Sequence, residues 1–364
     1  MRFLLDAEQR EFGQSVNGLL GAAGVPAAVR AWASGDHGPG RAVWSRLAGA
    51  GVFALAVPEA YGGVGRLPVE AVVAWVELGR HAVPGPVVET AAAAVLLAEL
   101  AGPGGGDEGP AKEWLPRIAS GEAAATLVGE RYALDADAAE LVLEATADGR
   151  LLARRPGSLA GPFASQDPAR RLFRPSAGAG AASAASAGGT ASATDAASAA
   201  SAAGAAGAAT GASQLAVGRR VSAAYRRAAL WARLLTAAQS LGVARALLAQ
   251  TVAYVGQRRQ FGVAVGSFQA VKHRLADALI AVEFAQPLLY AAALSMDPAE
   301  VAMAKTACGE AGYTAARTAL QLHGAIGYTE ELDLSLWLRK ARPLRDAWGS
   351  PAACRATALT RPPY

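Results

Sequence analysis

Residues 254–272 read YVGQRRQFGVAVGSFQAVK, and the reading of the whole chain turns on them. A long apolar helix runs into a polar and basic cluster, Gln257, Arg258, Arg259 and Gln260. It breaks at Gly262, crosses a short turn and restarts as a second long helix at Ser267. Two helices that end and start at one spot leave unpaired backbone amides and a positive dipole end beside two guanidinium groups. Such a corner suits a phosphate or pyrophosphate. On composition alone the same residues also describe an ordinary helix–helix corner with solvated arginines, because surface basic residues are common.

Outward from that stretch, the C-terminal part is helical. One helix is expected over 223–257 and the next from Ser267 to about Ser295. A third is opened by Asp297 as N-cap with Pro298 in its first turn and Glu300 following. Residues 323–328 form a connector, and Thr329 is expected to cap a final helix through Leu338 to Leu344. Four antiparallel helices with short connections make a bundle. Towards the N-terminus, Asp6 and Gln9 make a capping pattern ahead of QREFGQSVNGLL. Further helices are expected over 42–50, 68–79 and 88–101, with VFALAVPEAYGGVG (52–65) as a buried run closed by turn glycines. Between them, ATLVGE, AELVLEAT and GRLLARR are short, alternating segments that read as strands, SQDPARRLFR feeds one more, and LAVGRRVS (215–222) is expected to be the last. Residues 176–213, an Ala/Ser/Gly tract without large apolar side chains, read as a flexible insertion in this sheet.

The expected fold class is therefore α+β, mostly α. An N-terminal helical domain covers 1–121, a middle β domain with the disordered insertion covers 122–222, and a C-terminal four-helix bundle covers 223–364.

The composition narrows the function. A chain of 364 residues, 52% apolar but alanine-rich, can bury a substantial core. A net charge of +4 from dispersed arginines argues against a dedicated nucleic-acid binder but leaves room for an anionic nucleotide ligand. Cys308 and Cys354 lack metal-like spacing and read as incidental thiols of a reduced protein. No signal peptide is seen in MRFLLDAEQREF, and Thr90 to Leu100, taken as the longest type of apolar run, is too short for a bilayer. The expectation is a cytoplasmic protein with neither a membrane nor a nucleic acid as partner.

LAVPEAYGG at 55–63, ELGR at 77–80, RRQFGVAVGSFQAVKHRLAD at 258–277 and QLHGAIGYTEE at 321–331, in this order, resemble the acyl-CoA dehydrogenase family. The resemblance covers both helical regions, about two-thirds of the chain, and the two C-terminal strings carry most of its specificity. It implies an FAD enzyme that removes hydrogens from Cα and Cβ of an acyl-CoA thioester. In that chemistry a carboxylate takes the α-proton and the flavin accepts a hydride. The family shares each FAD between two subunits. By position, Arg258, Gln260 and Phe261 match the turn that faces the neighbour's pyrophosphate, and Phe268 and Gln269 match the following helix start. Gln321, Leu322, His323, Gly324 and Ala325 match the loop that meets the other face of the dinucleotide. An arginine fork suits phosphate oxygens, and small residues at 324 and 325 permit close approach. His323 also reads as a plain polar connector, Arg259 as solvated charge, and Gly324 with Gly327 as a helix-crossing device.

The family's general base is missing. Trp348 in RPLRDAWGSPAACR stands where the glutamate is expected, and Ala232 in RRAALWARLL occupies the alternative position. No catalytic residue is assigned, although Asp346 lies two residues from Trp348. The threonine-glutamate-proline and glycine-serine phrases of a full flavin site are also not found between 122 and 218. Loss of the ring side beside retention of the adenine side resembles the subunit without a catalytic base in actinobacterial α2β2 acyl-CoA dehydrogenases. The implied partners are an acyl-CoA substrate, a second dehydrogenase subunit and an electron-transfer flavoprotein as acceptor. Alternatives are a self-sufficient homotetramer that uses Asp346, or a flavin-free scaffold.

Overall fold

The computed structural model describes residues 4–102, 108–129, 131–175 and 212–360. Most of the expected 176–213 insertion lies outside these residues. The first helix, α1 (Ala7–Gly21), opens with the anticipated capping box: Asp6 accepts from Gln9 N at 2.8 Å, and Asp6 N donates back to the Gln9 side chain. Then follow α2 (Val25–Ala33), α3 (Gly38–Gly49), α4 (Pro68–Arg80), α5 (Val87–Leu100) and α6 (Gly109–Ala119). Neither α2 nor α6 was expected, and 52–65 forms two short 3-10 turns.

Seven strands occupy the middle: β1 (Ala125–Leu127), β2 (Ala133–Leu134), β3 (Leu141–Ala145), β4 (Arg150–Arg154), β5 (Leu159–Phe163), β6 (Leu172–Pro175) and β7 (Ala212–Val217). They make two small sheets rather than one, ordered β1-β3-β4-β7 and β2-β6-β5. The expected strand over 215–222 needs correction. Pairing stops at Val217, Gly218 turns the chain at φ 101°, and Arg219 already begins a helix.

That helix is α7 (Arg219–Gln257), 39 residues long. It leads to a two-stranded hairpin, β8 (Arg259–Gln260) with β9 (Val263–Ala264), then α8 (Gln269–Ser295), α9 (Pro298–His323), α10 (Leu334–Asp346) and α11 (Pro351–Leu359). Asp297 caps α9 as expected, accepting from Ala299 N and Glu300 N at 2.9 and 3.0 Å. Thr329 is not the cap of α10: a 3-10 turn over Gly324–Tyr328 intervenes, and the residue ahead of α10 is Asp333. The extra helix α11 follows, capped by Ser350.

One apolar core runs through both helical regions, because α7 packs against α4 and α5 as well as α9 and α10. Trp32, Trp75 and Trp231 are fully buried in it. Along α5 nearly every residue is buried, which explains an all-round apolar sequence with no clear polar face. Among the described residues, α8 is long and apolar enough to cross a membrane, so Thr90 to Leu100 does not set the limit expected from the sequence. Here α8 packs against α7 and α9, and Leu279, Ile280, Phe284 and Leu288 point outward.

Candidate functional site

The 254–272 corner is tighter than a simple break. Phe261 and Gly262 sit at φ 52° and 81° between β8 and β9, as a two-residue hairpin with both central φ positive demands. A phenylalanine tolerates that backbone at a cost, and its ring is left 92% exposed, edge-on to Phe268 at 6.3 Å. The two arginines separate in role. Arg259 Nη2 donates to Gly262 O at 2.9 Å, which ties it to its own turn. The Arg258 side chain is exposed and makes no hydrogen bond or ion pair among the described residues, while its backbone holds the corner through Arg258 N to Tyr254 O and Val265 N to Arg258 O. Phe268 precedes α8 with no side-chain cap; Val271 N and Lys272 N turn back to Phe268 O, which leaves the Gln269 and Ala270 amides open to an external acceptor beside the exposed Gln269 side chain. Exposed Gln260 completes this face.

The second expected segment lies beside the first. The Tyr254 ring stacks on His323 at 4.2 Å and 20° interplanar, and its hydroxyl reaches His323 O at 3.5 Å. The end of α7 and the end of α9 are thus clamped together, which brings 258–269 and 321–325 to one region. Gln321, Gly324 and Ala325 lie towards solvent, and Leu322 is half-buried. Gly324 adopts φ 63°, ψ −140°, and the space around its Cα is open. The His323 ring faces inward: it is buried, its Nδ1 lies 2.8 Å from Ala319 O, and burial pushes its pKa below the usual 6.5. Its imidazole acts in the α7–α9 contact, whereas its backbone joins the exposed loop. A cleft of about 270 Å³ borders the same connector and is lined by Tyr313, Arg317, Tyr328, Arg339 and Arg342.

The two positions for a base also converge. Arg233, next to fully buried Ala232 on α7, donates from Nε to Trp348 O at 3.0 Å. Lys305 of α9 donates to Leu344 O and Arg345 O at 3.0 and 2.7 Å, which holds the end of α10. Its burial lowers its pKa to about 8. Trp348 itself sits at φ 57°. Asp346 has a half-exposed carboxylate, 3.6 Å from Arg345 Nη1. The carboxylate beside Trp348 is Glu89 of α5, whose Oε1 accepts from the indole Nε1 at 3.0 Å. Sequence reasoning missed Glu89, since the two residues are 259 positions apart.

Family models described as "Acyl-CoA dehydrogenase, N-terminal domain" and "Acyl-CoA dehydrogenase, C-terminal domain" match residues 6–122 and 223–357. The chain is 31% identical over 346 residues to acyl-CoA dehydrogenase IpdE2 of Mycobacterium tuberculosis, covering 94% of each. Among solved structures it superposes on the ChsE4–ChsE5 complex from Mycobacterium tuberculosis with TM-score 0.77, 22% identity and complete coverage of both chains. It superposes on a glutaryl-CoA dehydrogenase from Mycobacterium smegmatis in complex with FADH2 with TM-score 0.73 and 16% identity, covering 98% and 95%.

Proposed function

The chain belongs to the acyl-CoA dehydrogenase family, and from that premise we propose that it is the subunit that completes the FAD site of a catalytic partner in α,β-dehydrogenation of an acyl-CoA. The observation that carries this reading is a contrast within one molecule. Arg258, unpaired among the described residues, and the uncapped start of α8 face outward beside the 321–325 loop, while the side chains at the two base positions, Ala232 and Trp348, cannot accept a proton and the carboxylate beside Trp348, Glu89, is engaged by its indole.

The described residues suit a dinucleotide. Arg258 supplies a planar fork for diphosphate oxygens, the open amides at Gln269 add donors, and Phe261 with Phe268 offers an exposed aromatic pair for a base. Gln260, Gln321, Leu322, His323 through its backbone, Gly324 and Ala325 border the same region. FAD held there would supply acceptance of a hydride from the β-carbon, and a carboxylate of the partner would take the α-proton. The acceptor that this reading implies is an electron-transfer flavoprotein. The two-component ChsE4–ChsE5 complex supports a heteromeric assembly, and a steroid acyl-CoA dehydrogenase of the same fold supports a lipid- or sterol-derived acyl group.

The test compares the chain alone with its complex with a second dehydrogenase subunit. The lone chain should be colourless, and the complex yellow and active. In the complex, Arg258→Ala should weaken flavin retention at least about tenfold, equivalent to roughly 1.4 kcal/mol. Arg259→Ala should change it by less than about threefold, since that guanidinium is already engaged by Gly262. Stoichiometric flavin and turnover in the lone chain would overturn the proposal.

A further inference from the structure

Trp348 is over-determined for a residue that merely replaces an acid. Four elements converge on it. Arg233 from α7 holds its carbonyl, Glu89 from α5 holds its indole nitrogen, and Lys305 from α9 fixes the carbonyls just before it. Its ring tip reaches towards Gly129, just past β1, where a Cβ would lie 3.9 Å from Cη2. Its backbone is held at φ 57°, a conformation bulky residues adopt only when their surroundings impose it. The following residue, Gly349, has φ 135°, and a Cβ there would meet Cys354 Sγ at 2.8 Å and Arg233 Nε at 3.1 Å. The turn is therefore packed into one arrangement.

Glu89 is only 4% exposed, on a helix whose other buried residues are alanine, valine and leucine apart from Thr90. A buried carboxylate needs a strong donor, and the Trp348 indole N–H is the side-chain donor that meets it. The two residues meet across the space between α5 and the end of β1, where Arg233, next in sequence to Ala232, also reaches Trp348.

We propose that the Trp348–Glu89 pair is an internal plug: the indole fills the space between α5, α7 and β1 where this chain would otherwise take the acyl group of a thioester, and the Glu89 carboxylate latches it there. This rests on the reading that positions 232 and 348 mark a dehydrogenase reaction site. It goes beyond that reading by assigning the lost site a physical occupant. The chain is excluded from binding acyl-CoA itself, so acyl-CoA is directed to the partner's site, and removing the indole reopens the space.

The experiment uses the full chain without partner, titrated calorimetrically with hexanoyl-CoA and, as a control for the nucleotide portion, with free CoA. Wild type should show no preference for hexanoyl-CoA over CoA. Trp348→Ala should bind hexanoyl-CoA at least about tenfold more tightly than CoA. Glu89→Ala, which frees the indole without deleting it, should show a smaller preference, and it decides the question should Trp348→Ala not fold. Glu89→Gln retains an acceptor oxygen for the indole and should stay closed. Wild type that prefers hexanoyl-CoA, or opened variants that show no preference, would overturn the plug. Neither result touches the diphosphate reading, which is judged separately by flavin retention in the Arg258→Ala complex.

Discussion

Lys340 Nζ lies 3.0 Å from Asp167 Oδ2, and neither side chain has more than 5% of its surface in solvent. The pair fastens the 165–171 loop of the middle region onto α10. Asp167 Oδ1 also accepts from Ala169 N at 3.0 Å, so the acid organises its own turn before it meets the lysine. Its other oxygen is met off the usual hydrogen-bond angle, and the pair therefore rests mainly on charge. Removing one member strands the other in a low-dielectric site. Lys340→Ala or Asp167→Ala should each cost about 3–5 kcal/mol in urea melts. The double replacement Lys340→Met with Asp167→Leu should recover most of that loss, because two desolvated charges disappear together.

His323 carries a second prediction, with a defined sign. Burial is the larger influence and lowers its pKa, against the smaller opposite effect of the Ala319 carbonyl. A histidine depressed in the folded state binds fewer protons than the unfolded chain near its ordinary pKa of 6.5. Its contribution to stability is present above that pH and is lost as pH falls below it. His323→Phe keeps a ring on Tyr254 and should remove this acid-side loss from the difference profile. His323→Ala should cost about 1–3 kcal/mol at pH 8 by losing the stacked pair and opening space. Thermal melts from pH 5 to 8 decide both.

Asp135 runs the opposite way. Wholly buried, at φ 50°, it accepts from Arg171 N at 3.0 Å, with the Trp32 indole as its side-chain donor neighbour. Burial raises its pKa from 3.8 to about 7. The folded state then holds a proton that the unfolded state releases, so its contribution falls as pH rises from 3.8 to about 7 and is flat beyond. The full change is at most about 4 kcal/mol. Asp135→Asn cannot ionise. The stability of wild type relative to this variant should therefore decline steadily between pH 4 and pH 7 in denaturant titrations, and a level difference would contradict the assignment.

Much of this was legible in the sequence because local chemistry and tertiary outcome agree. The Asp6/Gln9 box, the Asp297–Pro298 start and the Gly262 break all act within four residues. Errors came where local signals compete. GRRVS is β-tolerant in isolation, yet the apolar stripe that begins at Val221 carries α7 back to Arg219. Thr329 is a fair N-cap by type, but the 3-10 turn over Gly324–Tyr328 postpones α10. Within the candidate site, Arg258 and Arg259 are indistinguishable as letters, and only the hairpin shows which one is already engaged. Glu89 had no signal at all, since its meaning comes from a tryptophan 259 residues away.

The glycine of the ELGR phrase has a packing explanation that leads to the sharpest stability test. A Cβ on Gly79 would fall 2.1 Å from Gln239 O, and one on Gly242 would fall 1.9 Å from Val76 O. The α4 and α7 backbones thus touch reciprocally through two glycines, and both obstacles are main-chain atoms that cannot rotate away. Helix propensity alone favours alanine at each position by about 1 kcal/mol, because both lie inside helices. Contact geometry predicts the reverse sign. Gly79→Ala and Gly242→Ala should each force the helices apart and destabilise by about 3 kcal/mol or more, with a lowered melting temperature. Gly256, near the end of α7, supplies the control, because a Cβ added there would meet nothing within 4 Å. Gly256→Ala should be neutral or stabilising by up to about 1 kcal/mol. Equal effects at 242 and 256 would mean that the close crossing of α4 and α7 does not exist, and with it the shared core that positions α5 and Glu89 beneath Trp348.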